Sequence, residues 1–450
     1  MAFELAISGD TVLNDAISSC ENERFLELIE QTRGADVALT HLETTCHDYD
    51  ESEVYPAAMS GGTWMRAPRT TGEELRWSGF DIVSHASNHA LDFSYGGLRE
   101  TWDVLDEAGV AYAGTGENLA GAREPAFVDT DEARVGLVSM TASFTPSARA
   151  GDARRDMRGR PGVNPLRFTF QVDDETFDAI RTAGTSLGQI VVEEEGTLTV
   201  TDPASRNTTR RFERSDDQET HRGLHSRDRE ENLRAVSWAE TEADVVVAHI
   251  HTHEFRIGGR ATQPPKCLET FSRACIDQGA DVVVCQGSHA PTRGIEIYED
   301  APIFYDPGDF VIMADAVTRQ PADFYYAHEE GLSNHPLEAS VEEAIQARGP
   351  IRPWESRTVF ENEREMLSPV GGFFEGPGSV LARCRFDSGY DVERIELTPF
   401  QWLSEPESHV GVPKAVEGEA ADNTLSHVAD LSAEYGTEVT IADDRGYITV

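Results

Sequence analysis

Lysine is nearly missing from this chain: Lys266 and Lys414 are the only two in 450 residues. The other basic residues are arginines, and the 38 lysines and arginines together face 81 acidic side chains, for a formal net charge of −43. High ionic strength shortens like-charge repulsion to about 3 Å at 1 M salt. Carboxylates also keep a surface hydrated and soluble. The composition therefore predicts adaptation to high salt. A broad basic face is lacking, which argues against non-specific nucleic-acid binding, and the same charge opposes docking on an anionic membrane. Long apolar runs are lacking too. No stretch approaches 18 consecutive apolar residues, so no membrane insertion is expected. The N-terminus shows no basic segment leading into an apolar one, so no secretory signal is expected. The six cysteines (Cys20, Cys46, Cys267, Cys275, Cys285 and Cys384) include no C-x-x-C pair. A disulfide framework or zinc knuckle is therefore not implied, and scattered thiols fit a reducing, cytoplasmic compartment.

What the chain does have is alternation of strand-like and helix-like segments, together with a 39% hydrophobic fraction sufficient for a globular core. Short β-branched runs read as buried parallel strands. They fall near Phe3–Ile7, at 36–40, 80–84, 134–138, 244–249 and 281–285. Amphipathic helices are expected at 21–32, 97–108 (with Gly109 as the stop), 229–241 and 265–278. This alternation predicts an α/β layered fold. Gly294–Tyr298 and Ala301–Tyr305 read as a hairpin. A charged, Thr/Gly/Pro-rich stretch at about 145–230 reads as a partly extended insertion or lid on a domain spanning 1–315. Residues 316–370 look irregular. A strand pair at 379–398, a helix at 424–434 and a terminal strand pair are expected to complete the same domain through 450.

Polar clusters follow five of the strand-like runs. Asp10 follows the first, His41 and Glu43 the second, Asn88 and His89 the third. His249, His251, His253 and Glu254 fall at and beyond the end of the 244–249 run, and His289 follows 281–285. Active sites of α/β sheets collect at the carboxyl ends of strands. Oxygen ligands with imidazole suit Mn, Fe, Zn or Mg more than a thiolate-seeking metal. Asp10, Glu43, Asn88, His251 and His289 could thus bind one or two divalent ions, with His89 as general acid or transition-state donor. Strand alternation places His249, His251 and His253 on one side, so one or two of them would be ligands. His253 and Glu254 are also candidates for contact with substrate. The Arg149–Arg160 stretch, including Arg155 and Arg158, could clamp an anionic substrate, and Arg293 is a similar candidate.

The segments Ser8-Gly9-Asp10, His41-Leu42-Glu43-Thr44, Ser87–Asp92, Gly114–Asn118, His249–Glu254, and Gly294–Glu296 through Ile303–Phe310 resemble, in order and spacing, the CapA family of poly-γ-glutamate capsule biosynthesis proteins. That family is built on the calcineurin-like metallophosphatase fold. The resemblance implies a four-layer α/β/β/α sandwich, with metal ligands at Asp10, Glu43, Asn88, one of His249 or His251, and His289. His41 stands where the family usually has Asn. Val12 stands where ordinary metallophosphatases have a histidine ligand, and only His289 remains of a histidine pair common near 288–291. The implied function is a metal-dependent, hydrolase-like enzyme acting on an anionic γ-glutamyl or phosphoryl substrate, small molecule or polymer, with a capsule-synthesis complex as a possible partner. The alternatives are a non-catalytic polymer-binding or complex-forming subunit and a general metallophosphoesterase.

Overall fold

The computed structural model of the chain describes residues 3–50, 53–204, 209–215, 221–256, 260, 262–289, 292–313, 317–348 and 377–450. Two sheets form its centre. The larger is built on the strand Glu4–Val12. On one side Val37–Leu42, Ile82–Ser84 and Ala111–Ala113 follow in parallel register. On the other side lies the antiparallel strand Ser379–Phe386, followed by Val392–Trp402, Arg445–Thr449 and Thr440–Ala442. The short strand Asp309–Ile312 runs parallel beside the end of Glu4–Val12, with Asp309 paired to Asp10. The second sheet orders Ala126–Asp129, Arg134–Thr141, Val245–His251, Val282–Gln286, Ala301–Phe304 and Ile295–Tyr298.

Side-chain alternation along these strands sorts the core into layers. Leu5, Ile7, Leu39 and Ile82 of the first sheet meet Val135, Leu137, Val245, Val247, Val282 and Val284 of the second, all essentially inaccessible to solvent. The first sheet's other face, through Ala6, Ala38 and Val83, packs on Phe25, Leu28, Leu75 and Leu105 from the helices Glu23–Arg33, Thr71–Trp77 and Ser94–Ala108. The second sheet's other face, through Val138, Val246 and Val283, packs on Val236, Ala239, Leu268 and Phe271 from Ser226–Glu242 and Lys266–Asp277. This is the expected four-layer α/β/β/α sandwich. Each fully buried aliphatic or aromatic side chain contributes roughly 1.5–3 kcal/mol to holding the layers together.

Local signals explain several boundaries. Asn22 caps the first helix by accepting from the Arg24 and Phe25 amides. Gly109 ends the Ser94–Ala108 helix at φ 68°, a left-handed conformation that costs glycine little. Glu299 and Asp300 both take positive φ, 47° and 62°, as a two-residue hairpin turn between right-twisted strands demands. Two regions differ from expectation. Within 145–230 a separate five-stranded sheet forms, and helix Asp174–Ser186 covers it through Val172, Phe177 and Leu198. Its strand Ile190–Glu194 is largely exposed, so apolar alternation is weak there. The supposedly irregular stretch after 316 contains helices Ala322–Ala327 and Val341–Arg348, which bury Phe324 and Ala344 with Trp64 and Phe93. The rest of that expectation, 349–370, lies outside the described residues. The C-terminal helix begins at Glu419, five residues before the expected start at 424. The six cysteines are free, and no helix among the described residues is long and apolar enough to cross a membrane.

Candidate metal centre

Asp10 and Glu43 bring two carboxylates to the carboxyl edge of the first sheet, each 1% exposed. Among the described residues neither has a hydrogen-bond partner for either oxygen. Around Asp10 stand His41 Nε2 at 3.9 Å and His251 Nδ1 at 3.8 Å from Oδ1, and His289 Nδ1 at 3.9 Å from Oδ2. Around Glu43 Oε1 stand His251 Nε2 at 3.5 Å, His289 Nε2 at 3.5 Å and His253 Nε2 at 3.7 Å. These separations are too long for good hydrogen bonds and leave space between the donors. Burial, with Glu43 and Asp309 nearby, pushes the Asp10 carboxyl well above its usual range. Burial also acts to raise Glu43, but the imidazoles of His289, His253 and His251 outweigh it and hold that carboxyl well below its usual range. For His289, burial acts against the charged ring, yet Glu43 and Asp309 prevail and raise it. Its Nδ1 lies 3.1 Å from Asp309 Oδ1.

Donor counting fixes the tautomers behind this cluster. Gln286 Nε2 donates to the Ser8 carbonyl at 3.2 Å, which turns its Oε1 toward His249 Nε2 at 2.6 Å. His249 therefore carries its proton on Nε2, and its Nδ1 accepts from the Ser84 hydroxyl at 2.8 Å. That hydroxyl has one proton, so His41 Nδ1 must donate to Ser84 Oγ at 2.9 Å. His41 is left with a lone pair on Nε2, buried, unpartnered and turned to Asp10. Its ring stacks between those of His249 and His251, at centroid distances of 5.0 and 4.5 Å. Burial and then His249 hold His41 well below the usual imidazole range, which keeps that lone pair available.

His251 is set in a similar way. Asn88 Nδ2 donates to the Gly61 carbonyl at 3.3 Å, so its Oδ1 accepts from His251 Nε2 at 2.9 Å. Nδ1 of His251 is then the open nitrogen, buried and without a partner. Gly287, at φ +100°, makes room for this ring: a Cβ there would come within 2.6 Å of His251 Cε1. His89 lies at the rim, its side chain 11% exposed, with Nδ1 2.5 Å from Asp92 Oδ2. Asp92 also accepts from the Gly61 and Met65 amides. Burial lowers His89, but Asp92 outweighs it and raises the imidazole above its ordinary value. The contact of Nδ1 with Asp92 fixes the direction of the ring.

The donor set fits a divalent cation. Seven buried atoms (both oxygens of Asp10 and of Glu43, His41 Nε2, His251 Nδ1 and His253 Nε2) lack hydrogen-bond partners among the described residues. Uncompensated buried carboxylates cost several kcal/mol each, and an ion among them removes that cost. Among the described residues three groups place ligand atoms within 4.8 Å of one another: Asp10–His41–His251, Glu43–His253–His289 and Asp10–His289–Asp309. Asp10 is shared by two of them.

Asp10, Glu43, Asn88, His251 and His289 all come together here, as do His253 and the rim residue His89. His249 sits behind the cluster with both ring nitrogens hydrogen-bonded, so it positions His41 and offers no lone pair. Arg293 is 2% exposed and donates to the Glu254 carbonyl at 3.0 Å, facing Asp306. At that burial a substrate cannot reach it. Glu254 pairs with Arg222 at 3.1 Å. Arg155 and Arg158 are exposed on their loop, with Arg158 near Glu117. Two residues of the cluster, His41 and Asp309, were not among the sequence candidates. Asp309 had a visible position, at the start of a short apolar run after Pro307-Gly308, but no local pattern ties that run to the first strand.

A profile of the family described as "Bacterial capsule synthesis protein PGA_cap" matches residues 4–314. Uncharacterized protein y4uA of Sinorhizobium fredii (strain NBRC 101917 / NGR234) is 30% identical over 449 residues, 99% of this chain and 93% of that protein. A probable polyglutamine synthesis accessory protein of Mycobacterium tuberculosis is 30% identical over 234 residues, 51% of this chain and 44% of its own. Capsule biosynthesis protein CapA of Bacillus anthracis is 22% identical over 247 residues, 55% of this chain and 44% of its own. The matches to the last two thus cover less than half of their length.

Proposed function

This chain belongs to the bacterial capsule synthesis protein PGA_cap family, and from that premise we propose that it is a metal-dependent, hydrolase-like enzyme acting on an anionic γ-glutamyl or phosphoryl substrate in capsule-polymer metabolism. The observation that carries the reading is the set of seven buried, unpartnered oxygen and nitrogen atoms at the strand ends. Asp10, His41 and His251 would hold one ion, and Glu43, His253 and His289 a second, with Asp309 beside Asp10 and His289. Mn, Fe or Zn suits such oxygen and imidazole donors. A divalent ion bound there would polarise a carbonyl or phosphoryl oxygen and lower the pKa of a bound water. The chain's own residues supply the rest. His89, held by Asp92, presents a proton at Nε2 to a leaving atom, and the stacked imidazoles and surrounding core exclude bulk water. We read residues 1–315 as the catalytic unit with 145–230 as its insertion, and 316–450 as completing the same domain, because Ser379–Phe386 pairs along Glu4–Ile7.

The test is metal content and affinity by elemental mass spectrometry and calorimetric titration with Mn²⁺ or Zn²⁺, on the wild type and on Asp10→Asn and His41→Gln. One to two equivalents in the wild type, bound at least about tenfold more weakly in each variant, is the expected result. A folded wild type that takes up neither ion and gains no thermal stability from either would overturn the reading in favour of a non-catalytic polymer-binding subunit. With metal loaded, His89→Asn is expected to retain the ion while losing about 10²–10⁴ in kcat. Bis-p-nitrophenyl phosphate and a γ-glutamyl p-nitroanilide separate phosphoryl from γ-glutamyl chemistry.

A further inference from the structure

A second polar concavity lies beside the centre and has no part in it. It encloses a volume of about 280 Å³, and four arginines line it: Arg123, Arg149, Arg167 and Arg227. Two of them are already neutralised. Asp228 accepts from Arg167 Nε at 2.7 Å and Nη2 at 2.8 Å, and Arg227 pairs with Asp152 at 2.9 Å. The other two make no side-chain hydrogen bond among the described residues, although Arg123 is ion-paired with Asp228. Among the described residues, Arg123 Nε and Nη2 are buried with no hydrogen-bond partner, and Asp228 Oδ1 stands 3.7 Å from Nη2, beyond hydrogen-bonding reach. No hydrogen bond or ion pair within the described residues engages the Arg149 guanidinium. Buried donors left unmade are costly. This cost is unexpected in a chain where acidic groups outnumber basic ones by 81 to 38 and partners abound. Burial lowers both arginines from their ordinary value, so each gains from an anion brought alongside.

The lining sets two carboxylates, Asp152 and Asp228, against four guanidiniums. His225 and Asp228, at the N-terminus of the 17-residue helix Ser226–Glu242, line the cavity. His225 makes no side-chain cap there, and helix N-termini carry partial positive charge. The cavity also sits near the centre. His251 pairs with Thr141 across neighbouring strands. The Thr141 carbonyl in turn accepts from Leu166, next to the lining residue Pro165. Two strand spacings of about 4.8 Å put this wall roughly 10 Å from the His251 backbone.

We propose that this arginine-lined cavity is a binding site for an oxyanion, carboxylate or phosphate, with Arg123 and Arg149 as its forked donors. Guanidinium geometry matches either group through paired N–H contacts. The proposal does not depend on the metal centre holding an ion.

The probes are inorganic phosphate and glutarate, titrated calorimetrically into chelator-treated full-length protein. Arg123→Gln, Arg149→Gln and Asp10→Asn serve as variants, each checked for fold by circular dichroism. At least one probe is expected to bind, at least about tenfold more weakly in each arginine variant and unchanged in Asp10→Asn. Phosphate alone binding points to a phosphoryl group, and glutarate alone to a carboxylate. Binding of neither probe, meaning that solvent alone satisfies the arginines, overturns the proposal. So does affinity that survives both arginine substitutions. Arg149 is partly exposed, so its variant remains informative if Arg123→Gln fails to fold. Failure here leaves the metal titration untouched, and failure there leaves this one untouched.

Discussion

At the residue scale, a buried histidine is expected to make stability fall in acid. His85 is inaccessible to solvent, its ring nitrogens 3.3 Å from Thr115 Oγ1 and the Thr44 carbonyl. Burial pushes its imidazole down to about 4, with Thr44 only partly opposing. The unfolded chain takes up that proton near pH 6.5, while the folded chain refuses it until about pH 4. Between those values the unfolded state holds more protons, so stability falls as pH falls, by up to about 3 kcal/mol for this group. His85→Gln keeps an amide donor for Thr44 and removes the titration. Denaturant midpoints between pH 4 and 7 are therefore expected to slope less in the variant, and parallel curves would refute the account. Much at this scale was legible in the sequence, because Asp, Glu, Asn and His directly behind β-branched runs do not belong in a core. The role of His41 was not legible. Which of two stacked imidazoles offers a lone pair depends on Ser8, Ser84 and Gln286, groups that meet only after folding.

At the element scale, the approach of two backbones sets the centre. A Cβ on Gly9 would overlap the Gly308 carbonyl, so only glycine lets the Asp309–Ile312 strand settle against Glu4–Val12 and put Asp309 beside Asp10. Gly9→Ala is expected to cost about 3 kcal/mol or to prevent folding. Gly188→Ala, at φ +73° with open space around it, pays only the left-handed strain of about 1–2 kcal/mol. Urea unfolding of the pair distinguishes crowding from conformation. Equal losses would mean that the close approach is not tight. The long amphipathic helices and buried strands were readable because each has one apolar face or a continuous apolar run. The four-residue Asp309–Ile312 strand and the half-exposed sheet of the insertion lack such periodicity, and long-range pairing defines them.

At the scale of the whole molecule, a net charge of −43 sets a general repulsion that only counter-ions relieve. Thermal midpoints are expected to climb by several degrees between 0.1 M and 2 M NaCl as screening tightens. A flat or falling midpoint in circular-dichroism melts would remove repulsion as the dominant long-range term. The layered class was visible in the alternation of elements, whereas the order of strands was not, since the first strand's neighbours come from both ends of the chain. Ile7 pairs with Leu39 on one edge and with Ala382 on the other. A ribosome adding ~5–20 residues per second needs on the order of 20–75 s to travel from the first of these residues to the last. For most of that interval Asp10 rides on a strand with one edge bare, open to wrong pairing with other nascent chains. A fragment stopping just after Ile312 would contain every carboxylate and imidazole of the centre and still leave that edge uncovered. The outer edge of the first strand is therefore closed only after Ser379–Phe386 has been made.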